Sequence, residues 1–180
     1  RELNLLHDNW LPSVTREGLG VSNLIGEKHG EVTLFDLLKE SFRQRPDYVI
    51  IGEIRGKEAF VLFQGMSSGH PSFGTMHAED VETMIRRLET EPINLSASLV
   101  ESLDVVCLMT QTKVGGNNAR RLRTIVEILK VKEGIGHALT NTPFVWDPAK
   151  DTFYFKKTSK IFDRLVVRYG VSHEKISQEF

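Results

Sequence analysis

From Thr33 the chain places its apolar residues at a helical period. Leu34, Phe35, Leu37, Leu38, Ser41 and Phe42 fall on one face, and recurrence at three and four residues predicts an amphipathic helix. Thr33 supplies a side-chain acceptor and Asp36 an acid three positions on, the pairing that satisfies free N–H groups at a helix start. Pro46 closes the segment, because the residue before a proline is pushed out of the helical region. Val49-Ile50-Ile51 then breaks the period. Three consecutive apolar positions predict a strand buried on both faces, as in the centre of a largely parallel sheet. Helices are predicted over 57–66 (Ala59, Phe60 and Phe63 inward), over 79–90 (Val81, Met84, Ile85 and Leu88 on one stripe, Arg86 well off it) and over 96–103. Strands are predicted over 71–75 and 105–110. Residues 1–30 are loop-rich, with a short extended piece near Pro12-Ser13-Val14-Thr15.

Beyond Thr110 the pattern becomes that of a hairpin protein. Lys113-Val114-Gly115-Gly116-Asn117-Asn118 is a turn signal, and 121–132 predicts a long strand. Phe144-Val145-Trp146 and Phe153-Tyr154-Phe155 flank the turn Asp147-Pro148-Ala149-Lys150-Asp151, which reads as a second hairpin. Ile161, Phe162, Leu165, Val166 and Tyr169 give an amphipathic helix over 159–169, and a short helix after Ser172 closes the chain. The expected organisation is one α/β core over 1–140 and a tail of hairpin and helices over 141–180 packed on it. There is no internal repeat and no low-complexity segment.

Composition narrows the classes. The 180 residues are 40% apolar and 26% charged, ordinary for a globular protein with a real core. A net charge of −1 gives no global attraction to nucleic acid or anionic lipid. Lys113, Arg120, Arg121 and Arg123 cluster around a turn but have no interleaved aromatics, so base stacking is poorly supported. The single cysteine, Cys107, excludes an internal disulfide framework and a cysteine zinc site. Within Val105-Val106-Cys107-Leu108-Met109 it reads as a small buried hydrophobe. No apolar run approaches the roughly 20 residues that cross a bilayer, and no signal peptide is recognisable.

The candidate chemistry lies where strands end. Gly52-Glu53 follows the buried strand, with Arg55 and Gly56 next. A carboxylate delivered at the C-terminal end of a buried strand can orient or deprotonate water, or hold Mg²⁺ through water. Gly52 leaves room for a phosphate or water beside it. The plain alternative for Glu53 is a solvated strand-end carboxylate. His70 lies among small residues in Ser68-Gly69-His70, and in Gly74-Thr75-Met76-His77 the Thr75 hydroxyl and the His77 ring can donate to phosphate oxygens; for either histidine a packing role is the alternative. The two histidines lack the spacing of a helical zinc pair. Arg16, and Arg86-Arg87 on their helix, read alone as ordinary charged surface.

Together these motifs resemble the secretion and pilus motor ATPases, the superfamily of type II secretion, type IV pilus, retraction and type IV secretion ATPases, and most closely its archaeal branch, which serves pili, the archaellum and related systems. Arg45-Pro46-Asp47-Tyr48-Val49-Ile50-Ile51-Gly52-Glu53-Ile54-Arg55-Gly56 is similar to that family's atypical Walker B motif, and Ser68 to Ala78 to its His box. Arg1-Glu2-Leu3 looks like the end of its Asp box, Val14 to Gly18 like the segment that follows, and Phe144-Val145-Trp146-Asp147-Pro148 like the tail of archaeal members. The resemblance implies a RecA-like P-loop NTPase core, three-layered on a mainly parallel sheet, with the C-terminal hairpin and helices appended. It implies a homo-oligomer, a hexameric ring, on the cytoplasmic side of a membrane platform protein, binding ATP and Mg²⁺. By the same resemblance Glu53 supports water activation and Mg²⁺, and Glu2 is the closing acid of the Asp box. Thr75 and His77 face the γ-phosphate, His70 is the other His-box histidine, and Arg16, Arg55 and Arg86 couple nucleotide state to subunit contacts.

One departure is large. No Gly-x-x-x-x-Gly-Lys-Ser/Thr occurs in the chain, so the loop that cradles phosphates is missing. The expectation is a fragment that begins after that loop, lacks the first strand of the core, and by itself binds ATP weakly and hydrolyses little. The four-cysteine zinc module of many bacterial type II members is absent too, so zinc is not expected. A RecA-like nucleic-acid motor and a non-catalytic ring or adaptor subunit are the alternatives, the first disfavoured by charge and composition.

Overall fold

The computed structural model describes residues 3–22, 28–132, 134, 136–156 and 158–179, with the backbone alone at 177 and 179. Its contacts divide the chain into two units, Arg1–His77 with Thr90–Leu95, and Ala78–Glu89 with Ser96–Phe180.

In the first unit a loop-rich segment is tied by two isolated antiparallel bridges, Arg16 with Val32 and Leu19 with His29. Helix α1 (Leu34–Arg43) starts on the predicted capping box: the Asp36 N–H donates to Thr33 Oγ1 and the Thr33 N–H donates back to Asp36. The chain leaves it through Arg45 at φ 52°, just before Pro46. Strand β1 (Val49–Ile51) follows, then α2 (Glu58–Ser67) and β2 (Ser72–Gly74). β1 and β2 pair in parallel, Val49 opposite Ser72 and Ile51 opposite Gly74. α2 crosses between them and buries Ala59, Leu62 and Phe63 completely or nearly so, alongside Val49, Ile51 and Ile54. α1 lies on α2, with the Phe42 ring against the backbone of Gly65.

In the second unit α3 (Val81–Glu89) and α4 (Ala97–Val100) precede a four-stranded antiparallel sheet in the order β3 (Val105–Val114), β4 (Asn117–Lys132), β5 (His137–Asp147), β6 (Thr152–Phe155). Gly115 and Gly116, at φ 56° and 85°, form the two-residue turn between β3 and β4, a geometry that needs positive φ at both positions. Helices α5 (Lys160–Tyr169) and α6 (His173–Glu179) end the chain. The core of this unit is Met84, Ile85, Leu88, Ala97, Val100, Val126, Ile128, Val131 and Trp146, with Ile176 from α6. Arg121 is held by Asp151 through two hydrogen bonds of 2.7 and 2.8 Å, and Arg123 donates to the Glu79 carbonyl at 3.1 Å.

The mixed α/β class is as expected, but the sheet is not mainly parallel. Only β1–β2 is parallel among the described strands, and short hairpin connections force β3 to β6 to run antiparallel. The helix expected over 96–103 shortens to four residues, and Ser102 Oγ folds back onto the Leu99 carbonyl. Cys107 is exposed rather than buried. β3 alternates, with Val106 and Leu108 half-buried and Cys107 and Met109 turned outward, so an unbroken apolar run is here a strand with one open face. Even there, partial burial pushes the Cys107 thiol up. Among the described residues no helix is long and apolar enough to cross a membrane.

Candidate functional site

The parallel register of β1 and β2 brings their C-terminal ends level, so Gly52-Glu53 and Thr75-Met76-His77 leave the pair side by side. The Ile54 N–H donates to the Thr75 carbonyl at 2.8 Å, extending the pairing past the strands. The Thr75 hydroxyl donates to the Gly52 carbonyl. Two loops are thereby fixed to each other at the position where the carboxylate emerges.

The Glu53 side chain is one quarter exposed and faces a nitrogen with each oxygen: Oε2 is 2.5 Å from an Arg55 guanidinium nitrogen and Oε1 is 3.3 Å from His77 Nε2. The Arg55 hydrogen bond holds the Glu53 carboxyl below its ordinary value, against the opposing pull of desolvation, and the charges of Arg55 and His77 add to it. The acid is therefore ionised at neutral pH, an acceptor for a water proton or for a hydrated cation. Beside it Gly52 leaves open space, with no atom within 4 Å of where a Cβ would stand.

A residue unmarked by the sequence reading orders this loop. Glu58 Oε1 accepts the Arg55 N–H at 2.7 Å and the Gly56 N–H at 2.8 Å. Lys57, which precedes α2, makes no side-chain cap, so the acid at the first helical position reaches back to the loop instead. The signal was present as an acid three residues beyond Arg55 at a helix start, the spacing of a capping pair.

Glu53, Arg55, Gly52, Thr75 and His77 are thus assembled in one place. His70 is not with them. It sits before β2, at the other end of the strand, where its ring meets Phe42 edge-on at 5.0 Å and 70°. Its Nδ1 is buried without a hydrogen-bond partner, while its N–H donates to Gly65 O. Arg16 is occupied by its own loop, its Nε donating to the Gly30 carbonyl at 2.8 Å. Arg86 belongs to α3, where its aliphatic stem lies against Gly136. Glu2 falls outside the described residues.

Mg²⁺ prefers oxygen donors and keeps several waters. The Glu53 carboxylate beside the open space at Gly52 suits that demand, and among the described residues no three His, Cys, Asp or Glu side chains group into a closed metal cage. The site fits a cation held by one carboxylate through water and unsuited to tight protein ligation.

Comparison with known proteins places these elements in a family. A family model described as "Type II/IV secretion system protein" matches residues 13–141, a span that includes both site loops. An uncharacterized protein of Methanocaldococcus jannaschii is 39% identical over 178 residues, 99% of this chain and 64% of its own length. A putative conjugal transfer protein of Mycobacterium tuberculosis is 29% identical over 119 residues, 62% of this chain and 33% of its own. The probable conjugal transfer protein TrbB of Sinorhizobium fredii is 29% identical over 109 residues, 57% of this chain and 32% of its own. The chain spans less than two thirds of the length of each of these relatives. With more than half of its residues matched by one family model, the chain belongs to the type II/IV secretion system protein family, with relatives in archaea as well as bacteria.

Proposed function

We propose that this chain is the hydrolytic part of an ATP-driven motor that powers a secretion, pilus or archaellum machine. The observation that carries the reading is the convergence of Glu53, Thr75 and His77 at the aligned ends of two parallel strands. Ligands of open α/β sheets bind at that edge. Parallel pairing of β1 and β2, bridged by α2 with α1 outside it, supports a RecA-like core.

In this reading Glu53 is the base that takes the proton of the attacking water, and through a water it helps to hold Mg²⁺. ATP with its Mg²⁺ supplies the phosphoryl group and the neutralising charge. His77 and Thr75 stand on the γ-phosphate side, and Arg55 is the cation exchanged between Glu53 and the nucleotide. His70 and Arg16 enter only through their motifs, since both are engaged elsewhere. The motor works as a homo-oligomeric ring, a hexamer, on the cytoplasmic face of a membrane platform protein.

The test is Glu53→Gln in the full-length protein. Removing a general base lowers turnover by about 10²–10⁴-fold, while ATP binding is retained because glutamine keeps the size and one acceptor. Near-normal turnover in that variant would remove Glu53 from the role.

A further inference from the structure

We infer that Glu58 is a positioning residue for the Glu53 site: its carboxylate fixes the loop that carries Arg55 to Glu53. The inference rests on the reading of Glu53 just given, and it concerns a side chain whose hydrogen bonds go to the backbone of the loop.

The loop from Gly52 to Lys57 is tied at its two ends: at one, the Gly52 carbonyl accepts from the Thr75 hydroxyl and the Ile54 N–H donates to the Thr75 carbonyl; at the other, the Gly56 and Lys57 carbonyls accept the Ala59 and Phe60 N–H groups. Arg55 is exposed and Lys57 gives no side-chain cap. The two N–H groups that follow Ile54, those of Arg55 and Gly56, both end on Glu58 Oε1, at 2.7 and 2.8 Å. Backbone donors satisfied by a charged acceptor make shorter and stronger bonds than neutral pairs. The carboxylate also stands at the first turn of α2, where a negative charge meets the positive end of the helix dipole. Fixing the peptide of Arg55 fixes where its side chain starts, and from there the guanidinium reaches Glu53 at 2.5 Å. An isolated exposed ion pair is worth little. This one is pre-set by the loop geometry, so a disordered loop would lose both the ion pair and the aim of Glu53.

A single oxygen accepts both bonds, and this makes the charge separable from the geometry. In Glu58→Gln the amide oxygen can accept the same two N–H groups; in Glu58→Ala nothing can. In the full-length protein, Glu58→Ala is expected to lower kcat about tenfold or more, with KM for ATP changed by less than about twofold, since misplacement by an ångström costs catalysis before it costs binding. Glu58→Gln is expected to restore kcat to within about threefold of the parent, the loss being only the charge assistance. Amide hydrogen exchange supplies a readout independent of turnover. The Arg55 and Gly56 amides should lose at least about tenfold protection in Glu58→Ala and keep it in Glu58→Gln. Unchanged protection in Glu58→Ala, or a Glu58→Gln variant as slow as Glu58→Ala, overturns the inference. If the alanine variant does not fold, Glu58→Gln decides by itself: a kcat more than about threefold below the parent together with lost protection at the Arg55 and Gly56 amides overturns the inference. If Glu53→Gln turns over normally while the exchange pattern holds, the reading of Glu53 fails and the positioning of the loop stands.

Discussion

At Gly65 two helices meet through the absence of a side chain. A Cβ built there would lie 2.2 Å from Phe42 Cζ and 2.5 Å from Cε1, and the same ring is already packed edge-on against His70. Glycine within a helix costs about 1 kcal/mol relative to alanine, so Gly65→Ala gains that much in backbone terms. Forcing the Phe42 ring aside costs about 1–3 kcal/mol, and the ring already has His70 as a neighbour. The expected outcome is a net loss of about 1 kcal/mol in denaturant unfolding. Adding Phe42→Leu should recover part of it, because residues in contact do not contribute additively. A variant more stable than the parent would mean that the ring moves without resistance. The grouping of the candidate-site side chains was largely legible at this scale. Gly52-Glu53, Thr75 and His77 announced themselves as small and polar residues after apolar runs, and the structure gathers them. His70 shared that local signature, but the strand predicted over 71–75 already set it before the strand, and the parallel register puts the Gly52-Glu53 end at the opposite end from it.

Helix α5 begins on a buried carboxylate from a strand. Glu127 of β4 is 2% exposed, and it accepts from Ser159 Oγ at 2.5 Å, Asn141 Nδ2 at 2.7 Å, and the Lys160 and Ile161 N–H groups at 2.8 and 3.3 Å. Ser159 in turn caps the helix by accepting from Phe162 N–H at 3.1 Å. Burial raises the Glu127 carboxyl, but the four donors outweigh it and the value falls below the ordinary one of 4.5. Glu127→Gln removes the charge and leaves an amide among donors. Hydrogen bonds to a charged group contribute about 1.5–3 kcal/mol, and a loss of that size is expected near neutral pH. Because the folded value is depressed, this contribution is present above 4.5 and disappears as pH falls through the folded value. Parent and variant should therefore converge in acid, and a difference that stays constant with pH would contradict the role. The sequence could not show this. A glutamate inside a strand reads as solvent-facing by alternation, yet register shifts between Ile125 and Glu127 and between Ile128 and Lys130 break the alternation and bury Val126, Glu127 and Ile128 in succession. The capping box of α1 and the two hairpin turns were legible because their signals are local. The first half of β5 was missed because 137–143 carries Thr, Asn and Pro and takes its strand form from pairing with β4.

Across the molecule the carboxylates whose titration is displaced all move the same way. Asp36 is lowered by the Thr33 hydroxyl, Glu53 by Arg55, Asp80 by the Thr83 N–H, and Glu127 by its four donors against burial. Asp151 goes furthest, from 3.8 to about 2, held first by Arg121 and then by the Trp146 indole N–H at 2.9 Å. With all of these displaced downward, the unfolded chain takes up protons before the folded one, so stability must rise with pH through the acid range. At neutral pH the net charge is only −1, and protonating carboxylates below pH 4 leaves the cations of 23 Lys and Arg residues increasingly unopposed, which adds self-repulsion to the lost hydrogen bonds. The chain should hold its stability down to about pH 5 and lose it steeply below that, as followed by urea midpoints at successive pH values. Asp151→Asn isolates the lowest step. Asparagine tolerates the left-handed backbone at φ 50° and keeps an acceptor for Trp146, but gives up the charge that holds Arg121. Its midpoint should lie below the parent above pH 3.8, and the gap should narrow as pH falls from 3.8 toward 2, where the parent acid is itself protonated. A gap that widened in acid would mean that Asp151 is not held by Arg121 in the folded chain.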